Sequence, residues 1–377
     1  MKLTKLFTEF FDSEKTSGVI LIACTLFSLI ISNSTFAHAY QGFFHVVVFS
    51  KPIEFWINDG LMTIFFLLVG LEIEREIYIG ELADIKKSMM PAVCAIGGML
   101  VPALIYFSFN KNGFSQNGFG IPMATDIAFS LAVLSLLGNR VPVSLKIFLT
   151  ALAIIDDLGA IVVIALFYSK NFHWIYLVLA ASVFGLMLLL NRMKVYITWV
   201  YLTLGCVMWI LMYRSGIHPT ITGVLLAFAI PFGNGEKNSL SYVLQHRLHR
   251  PVAFIVLPLF ALANTAITFP TSFANQLFQT TSLGIIFGLV LGKPLGIFSF
   301  ALIGKALRLS SIPADVKLKQ LFFTGLLAGI GFTMSIFITL LAFTDATMID
   351  HSKIAIMMAS VLAGSAGYLG LRLTSNY

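Results

Sequence analysis

Leu149-Thr150-Ala151-Leu152-Ala153-Ile154-Ile155-Asp156-Asp157-Leu158-Gly159 sets two adjacent carboxylates in the middle of an apolar run over residues 147–168. A run of that length matches the roughly 20 apolar residues a helix needs to cross a hydrocarbon core. An aspartate at the centre of such a helix costs ~2.5–3.5 kcal/mol to insert. A plain anchor would not carry two. Ionisable residues inside a membrane segment are functional candidates by default.

The rest of the chain repeats the apolar pattern. Of 377 residues, 58% are hydrophobic and 11% charged, against about 25% charged in a soluble domain. Polar breaks divide the chain into about twelve spans: 17–32, 55–79, 88–108, 121–137, 144–168, 173–191, 195–213, 217–232, 251–268, 281–304, 319–343 and 354–373. The expected fold is an all-α polytopic membrane protein forming a single membrane domain over 1–377. Residues 1–16 have mixed charge, and with no small-residue cleavage site after the first apolar run the N-terminus does not read as a signal peptide. They read as a helix along the membrane surface, with Leu3, Leu6, Phe7 and Phe10 on its apolar face. Cys24, Cys94 and Cys206 lie in apolar runs without CxxC spacing, so neither a disulfide nor a zinc site is implied. Residues 43–55, with Val46-Val47-Val48-Phe49 before Ser50-Lys51-Pro52, form either a short external hairpin or a plain loop.

Charge distribution orients the spans. Lys51, Lys111, Lys170, Arg214 and Lys353 fall on one side and Lys293 falls inside a span; the other eighteen of the 24 Lys and Arg residues fall on the side of the N-terminus. Positive residues collect in the cytoplasm, so both termini are expected there. The net charge of +7 then reflects contact with anionic lipid headgroups, and no nucleic-acid partner is implied.

Two spans are interrupted. The fourth contains Gly118-Phe119-Gly120-Ile121-Pro122-Met123-Ala124-Thr125-Asp126, where Pro122 removes a backbone donor. The eleventh contains Ala328-Gly329-Ile330-Gly331-Phe332-Thr333, where glycines permit an unwound turn. Non-helical backbone persists in a membrane only where protein or water covers it. Each interrupted span is the middle member of a triad, spans 3–5 at about 88–168 and spans 10–12 at about 281–373. Matched interruptions of this kind point to inverted-topology repeats, with two broken helices crossing near mid-membrane and a site at their interface. The remaining spans would form a scaffold for interface and dimer contacts.

Asp126 follows the first interruption, and Lys293 lies inside span ten within Gly292-Lys293-Pro294-Leu295-Gly296. Neighbours on a helix point about 100° apart, so Asp156 and Asp157 are expected to divide their work. Asp157 would face the interruption and share a sodium ion with Asp126, while Asp156 would pair with Lys293 as its counter-ion. Carboxylates, freed carbonyls and the Thr125 hydroxyl are hard oxygen ligands, suited to sodium or lithium. Burial and like charge both favour the protonated form of a carboxylate, so sodium and protons would compete for the same oxygens. That competition is the core of an exchanger, and it needs no cofactor. The broken helices present partial charges of their own, which Asp126 and Lys293 could balance.

Span two ends Gly70-Leu71-Glu72-Ile73-Glu74-Arg75-Glu76. Glu72, Arg75 and Glu76 share a helix face and form either a pH-sensing cluster or an ordinary solvated helix end. Asn58 and Asp59 read as a cap on that span. His246 and His249 belong to a lipid-facing or pH-responsive basic patch with Arg247 and Arg250. His218 reads as an interfacial histidine.

These features resemble the NhaA-type sodium/proton antiporters of bacterial inner membranes. The resemblance rests on Trp56-Ile57-Asn58-Asp59-Gly60-Leu61-Met62, Phe66-Leu67-Leu68-Val69-Gly70-Leu71-Glu72, Ala124-Thr125-Asp126-Ile127-Ala128-Phe129, Ala153-Ile154-Ile155-Asp156-Asp157-Leu158-Gly159, Leu257-Pro258-Leu259-Phe260-Ala261, Gly292-Lys293-Pro294-Leu295-Gly296 and Gly329-Ile330-Gly331-Phe332-Thr333-Met334-Ser335. Inverted repeats are already known in that family, so the matched interruptions agree with an established case. The resemblance implies twelve spans, a homodimer helped by an external hairpin, electrogenic exchange of more protons than sodium ions, and activation at alkaline pH. It implies function for Asp126, Asp156, Asp157 and Lys293, with Asp157 the central ligand, and it assigns pH sensing to Glu72, Arg75 and Glu76. Gln245 stands where the family usually has a glutamate, which implies a shifted or broadened pH profile. The rival readings are a sodium-coupled symporter, which lacks a polar cluster for an organic solute; a channel; and an intramembrane aspartyl protease, which lacks a Gly-x-Gly-Asp element.

Overall fold

The computed structural model describes residues 5–111, 113–169, 172–236, 238–269, 276–313 and 315–374. Lys2, Leu3, Lys170 and Lys237 lie outside them, as do the side chains of Leu6, Phe7 and Phe10. Helix α1 runs from Lys5 to Ser32 and α2 from Ala37 to Phe44. The surface helix expected over 1–16 is therefore continuous with the first span, because nothing around Lys15-Thr16-Ser17-Gly18 removes a backbone donor.

Strands β1 (Val47–Val48) and β2 (Lys51–Pro52) pair antiparallel, Val47 opposite Pro52 and Val48 opposite Lys51. The 43–55 region is thus a hairpin. Its two turn residues, Phe49 and Ser50, have φ of 50° and 67°, the left-handed pair that matches strand twist in a two-residue turn. The Trp56 indole donates to the Val48 carbonyl at 2.9 Å.

A widened turn, Trp56–Leu61, leads into α3 (Met62–Tyr78), followed by α4 (Ile85–Phe109). A 3₁₀ segment, Phe114–Met123, precedes α5 (Ile127–Ser135). Then come α6 (Val143–Phe167), α7 (Trp174–Arg192), α8 (Thr198–Ser215), α9 (Ile221–Ala229), α10 (Leu240–Pro251), α11 (Leu257–Asn264), α12 (Thr280–Phe287), α13 (Lys293–Ala306), α14 (Leu318–Ala328), α15 (Phe332–Ala342) and α16 (Ala346–Thr374).

Two joints, α10 to α11 and α12 to α13, are π-type turns over Val252–Val256 and Gly288–Gly292. Each ends just ahead of Pro258 or Pro294. A proline ring clashes with the carbonyl four residues back and offers no donor. The helix responds by widening: Leu257 N–H bonds to Val252 O and Lys293 N–H to Gly288 O, five residues back.

Among the described residues, eight helical segments are long and apolar enough to cross a membrane, or nine if the bent pair α14 and α15 counts as one span. This count is coarser than the twelve expected, and it includes none of α8, α9 and α11. The expected span 217–232 contains only the nine residues of α9, bracketed by Pro219 and Pro231. Ile230 is extended, with ψ of 137°, as the residue before a proline prefers. Helix α8 is diluted by Trp199, Tyr201, Trp209, Tyr213 and Arg214. Helix α7 exposes Trp174, Ile175, Val178, Leu179 and Leu189, a surface that suits lipid rather than water.

The chain separates into two compact units, Met1–Ala37 with Asp84–Ala160 and Asn264–Tyr377, and His38–Ala83 with Ile161–Ala263. In the first unit α4 lies along α13. Their backbones meet at Gly97 and Gly296, where a Cβ on either residue would stand 2.4 Å and 2.1 Å from the other's carbonyl oxygen. In the second unit α3 packs on α9 and α7 on α8, around Leu67, Leu71, Met187, Tyr201, Met208 and Leu226.

Candidate functional site

Both sequence interruptions are breaks in the helical path. After the 3₁₀ segment that contains Pro122, Ala124 and Asp126 are extended, with ψ of 149° and 102°. Between α14 and α15 the chain bends by 48° at Gly329-Ile330-Gly331. The two breaks lie against each other. The Asp126 amide donates to the Ile330 carbonyl at 2.7 Å. A broken helix leaves terminal carbonyls without partners, and side chains of the opposing break satisfy them. Ser130 Oγ donates to Leu327 O at 2.8 Å, Ser335 Oγ to Ile121 O at 2.7 Å, and Thr125 Oγ1 lies 2.9 Å from Ala328 O.

Asp126 at 2% exposure, Asp157 at 1%, and Asp156 and Lys293 at 0% are enclosed in the same unit. Asp126 opens α5 and caps it, its Oδ1 accepting from Phe129 N–H at 3.0 Å. Its Oδ2 accepts from Thr333 N–H at 2.9 Å and also from the Thr333 hydroxyl. Thr333 is the second residue of α15. One carboxylate therefore serves the positive ends of two half-helices, where an anion is favoured.

Asp156 Oδ2 contacts Lys293 Nζ directly. The Thr125 hydroxyl bridges the pair, 2.8 Å from each. A hydroxyl has one proton, so it serves either Asp156 or the Ala328 carbonyl while accepting from Lys293. Among the described residues, nothing donates to Asp156 Oδ1. Lys293 reaches this place because it is the residue at the widened turn ahead of Pro294. Asp157 follows in α6 and points about 100° away from Asp156.

The second unit gathers another set. Glu72 Oε1 lies 3.9 Å from His249 Nδ1. The Arg75 guanidinium stands over the Tyr242 ring at 5.8 Å, and His246 stacks on that ring at 3.8 Å. Glu76 folds back against Gly80. Arg75, Ser241, Tyr242 and Gln245 line a small cleft with Ile79, Phe232 and Gly235. Sequence reasoning passed over Glu74, which is 5% exposed and accepts from Ser241 Oγ at 3.4 Å. The available signal was spacing: positions 67, 71 and 74 follow the stripe of a buried helix face. Nor does the sequence single out Thr333, whose partner Asp126 is distant in the chain. Asp59 is no cap; it sits within the widened turn with Oδ1 3.3 Å from His218 Nε2, and His218 Nδ1 lies 2.7 Å from Thr220 Oγ1.

Comparison with known proteins agrees on one family. The sequence profile described as Na+/H+ antiporter 1 matches residues 8–371. The chain is similar to the Na(+)/H(+) antiporter NhaA of Flavobacterium psychrophilum, 57% identical over 372 residues that cover 99% of this chain and 97% of the relative. It is 55% identical over 374 residues to that of Cytophaga hutchinsonii, covering 99% and 97%. It is also 55% identical over 374 residues to that of Dechloromonas aromatica, covering 98% and 96%.

Proposed function

The chain belongs to the Na+/H+ antiporter 1 family, and from that premise we propose how its buried charges carry out the exchange. It is a multi-pass membrane transporter that exchanges sodium for protons, and not an enzyme. In our reading the exchange is electrogenic, pH-regulated and proceeds by alternating access, moving sodium or lithium out of the cytoplasm against external protons. The protein would sit in a bacterial inner membrane as a homodimer, with twelve spans and both termini cytoplasmic. The short helices α9 and α11 and the aromatic α8 would complete the count beside their neighbours.

The observation that carries this reading is the meeting of two helix breaks around Asp126, Thr125, Asp156 and Lys293. It supports inverted repeats through a reciprocity. Ser130 lies four residues after Asp126 and satisfies a carbonyl of the other break; Ser335 lies four residues after Gly331 and does the same in return.

Asp157 and Asp126 are the sodium ligands in this proposal, Asp126 through Oδ1, which keeps a lone pair after its bond to Phe129. Asp156 takes a proton at Oδ1, the oxygen to which no described residue donates. Protonation removes the charge that holds Lys293 and loosens the pair. A sodium ion entering the enclosed site favours the ionised carboxylates and expels protons, so a single site crosses loaded with one cargo or the other. Glu72, Arg75, Glu76, His246 and His249 would tune this with pH.

The test is proton flux in vesicles on addition of sodium alone, without an organic solute, for the native chain and Asp157→Asn. Sodium-driven proton release by the native chain and its loss in Asp157→Asn are expected. Release that required a solute would point to a symporter, and full release by Asp157→Asn would remove Asp157 from the site.

A further inference from the structure

Helix α15 begins with a deficit that it cannot meet by itself. The first N–H groups of any helix lack intrahelical acceptors. At α5 the opening residue is Asp126, whose own carboxylate caps Phe129. At α15 the same place holds Gly331, which has no side chain to offer. Nor is there room for one. A Cβ on Gly331 would stand 3.2 Å from the Ala124 carbonyl oxygen and 3.0 Å from Leu289 Cδ2. It would also stand 2.1 Å from the Ser335 hydroxyl, which is engaged with Ile121.

The acceptor comes instead from the opposite break. Thr333 directs its amide, at 2.9 Å, and its hydroxyl to one oxygen of Asp126. The position that corresponds to Thr333 in α5, two residues after the opening one, is Ala128. The hydroxyl is therefore, beside the exchange of Asp126 for Gly331, a second difference between the two sides of this reciprocal arrangement.

We propose that Thr333 is a positioning residue for ion exchange, holding Asp126 Oδ2 so that Oδ1 is the oxygen presented to sodium. This rests on the reading of Asp126 as a sodium ligand. Thr333 acts through Asp126. Three donors on two helices fix the plane of the carboxylate. Without the hydroxyl the two amides remain, the carboxylate regains rotational freedom, and the lost order must be restored on binding at the expense of affinity.

The test compares sodium KM and maximal exchange rate in proteoliposomes for the native chain, Thr333→Val, Thr333→Ser, Asp126→Asn and Asp126→Asn with Thr333→Val. Valine keeps the branched shape without the hydroxyl. We expect Thr333→Val to raise sodium KM about tenfold, the scale of one hydrogen bond to a charged group, with little change in maximal rate. Thr333→Ser should restore KM, and Thr333→Val should add nothing on top of Asp126→Asn. An unchanged KM in Thr333→Val, or equal damage from valine and serine, overturns the proposal. If the valine chain does not fold, Thr333→Ser against Thr333→Cys makes the same comparison, since a thiol is a weak donor; equal KM values then overturn it. An Asp126→Asn chain with native sodium KM overturns the ligand reading as well, whereas a raised KM there beside a native KM in Thr333→Val overturns only the role of Thr333.

Discussion

The meeting of the helix breaks and the end of α3 both collect ionisable side chains, but they hold them differently. At the breaks every charged group is enclosed. Asp126 accepts three hydrogen bonds from two helix starts, and Asp156 is in direct contact with Lys293, with the Thr125 hydroxyl bonded to both. At the end of α3, Glu72 and Arg75 are half-buried, and their partners are a histidine at 3.9 Å and the face of a tyrosine at 5.8 Å. Removing one member of a buried ion pair costs about 3–5 kcal/mol, while an exposed pair contributes about 0–1 kcal/mol. A site that must hold a bare cation needs the first kind of order. A sensor that must respond to small changes in solution is better served by the second.

The largest expected effect tests the first half of that contrast. Asp156→Ala leaves Lys293 enclosed without its carboxylate, and Lys293→Ala leaves the reverse. Each should lower stability by about 3–5 kcal/mol and abolish exchange. The double variant should cost clearly less than the sum of the two, because it removes both charges together. Thermal unfolding of the purified proteins measures the cycle. Additive losses would mean that Asp156 and Lys293 are not coupled, and the contrast between the two regions would collapse.

The next effect asks whether the enclosed pair depends on the helix contact beneath it. Gly97→Ala on α4 puts a methyl group 2.4 Å from the Gly296 carbonyl oxygen and 2.5 Å from Phe300 Cγ. The neighbour on one side is backbone, so the helices must separate. Overpacking of this kind costs about 1–3 kcal/mol. Gly296 lies three residues beyond Lys293 on α13, so the exchange rate should fall along with the melting temperature. An unfolding midpoint that falls while exchange stays native would show that the site tolerates displacement of α13.

What could be read from the chain alone follows the same division. The breaks are local: Pro122 and the pair Gly329 and Gly331 announce them, and buried charge beside them announces that they matter. The contact of Asp156 with Lys293 was foreseeable, since enclosed charges of opposite sign must find each other. The double capping by Asp126 was not, because its second partner lies 207 residues away and the reason for it, the lack of space at Gly331, is a tertiary fact. At α9 the sequence reads as one apolar stretch over 217–232, but the helix is confined to nine residues between Pro219 and Pro231. At α3 the charged face of Glu72, Arg75 and Glu76 is legible by its spacing, while Glu74 lies on the buried stripe beside Ser241.

The smallest expected effect sharpens the second half of the contrast. Glu72→Gln keeps the shape of the side chain and removes its charge. The partner is an imidazole, which carries charge only in acid, so the attraction to Glu72 exists in acid and fades as the solution becomes alkaline. The substitution should therefore lower stability by about 1 kcal/mol or less, more at acid than at alkaline pH, and the difference should shrink as salt is added. Unfolding midpoints of Glu72→Gln and the native chain, taken at acid and alkaline pH and at two salt concentrations, measure it. Exchange at a fixed alkaline pH should stay near native while its pH profile shifts. A loss as large as that of Asp156→Ala, independent of salt, would mean that the end of α3 holds its charges as rigidly as the helix breaks do, and that the two regions differ in position rather than in kind.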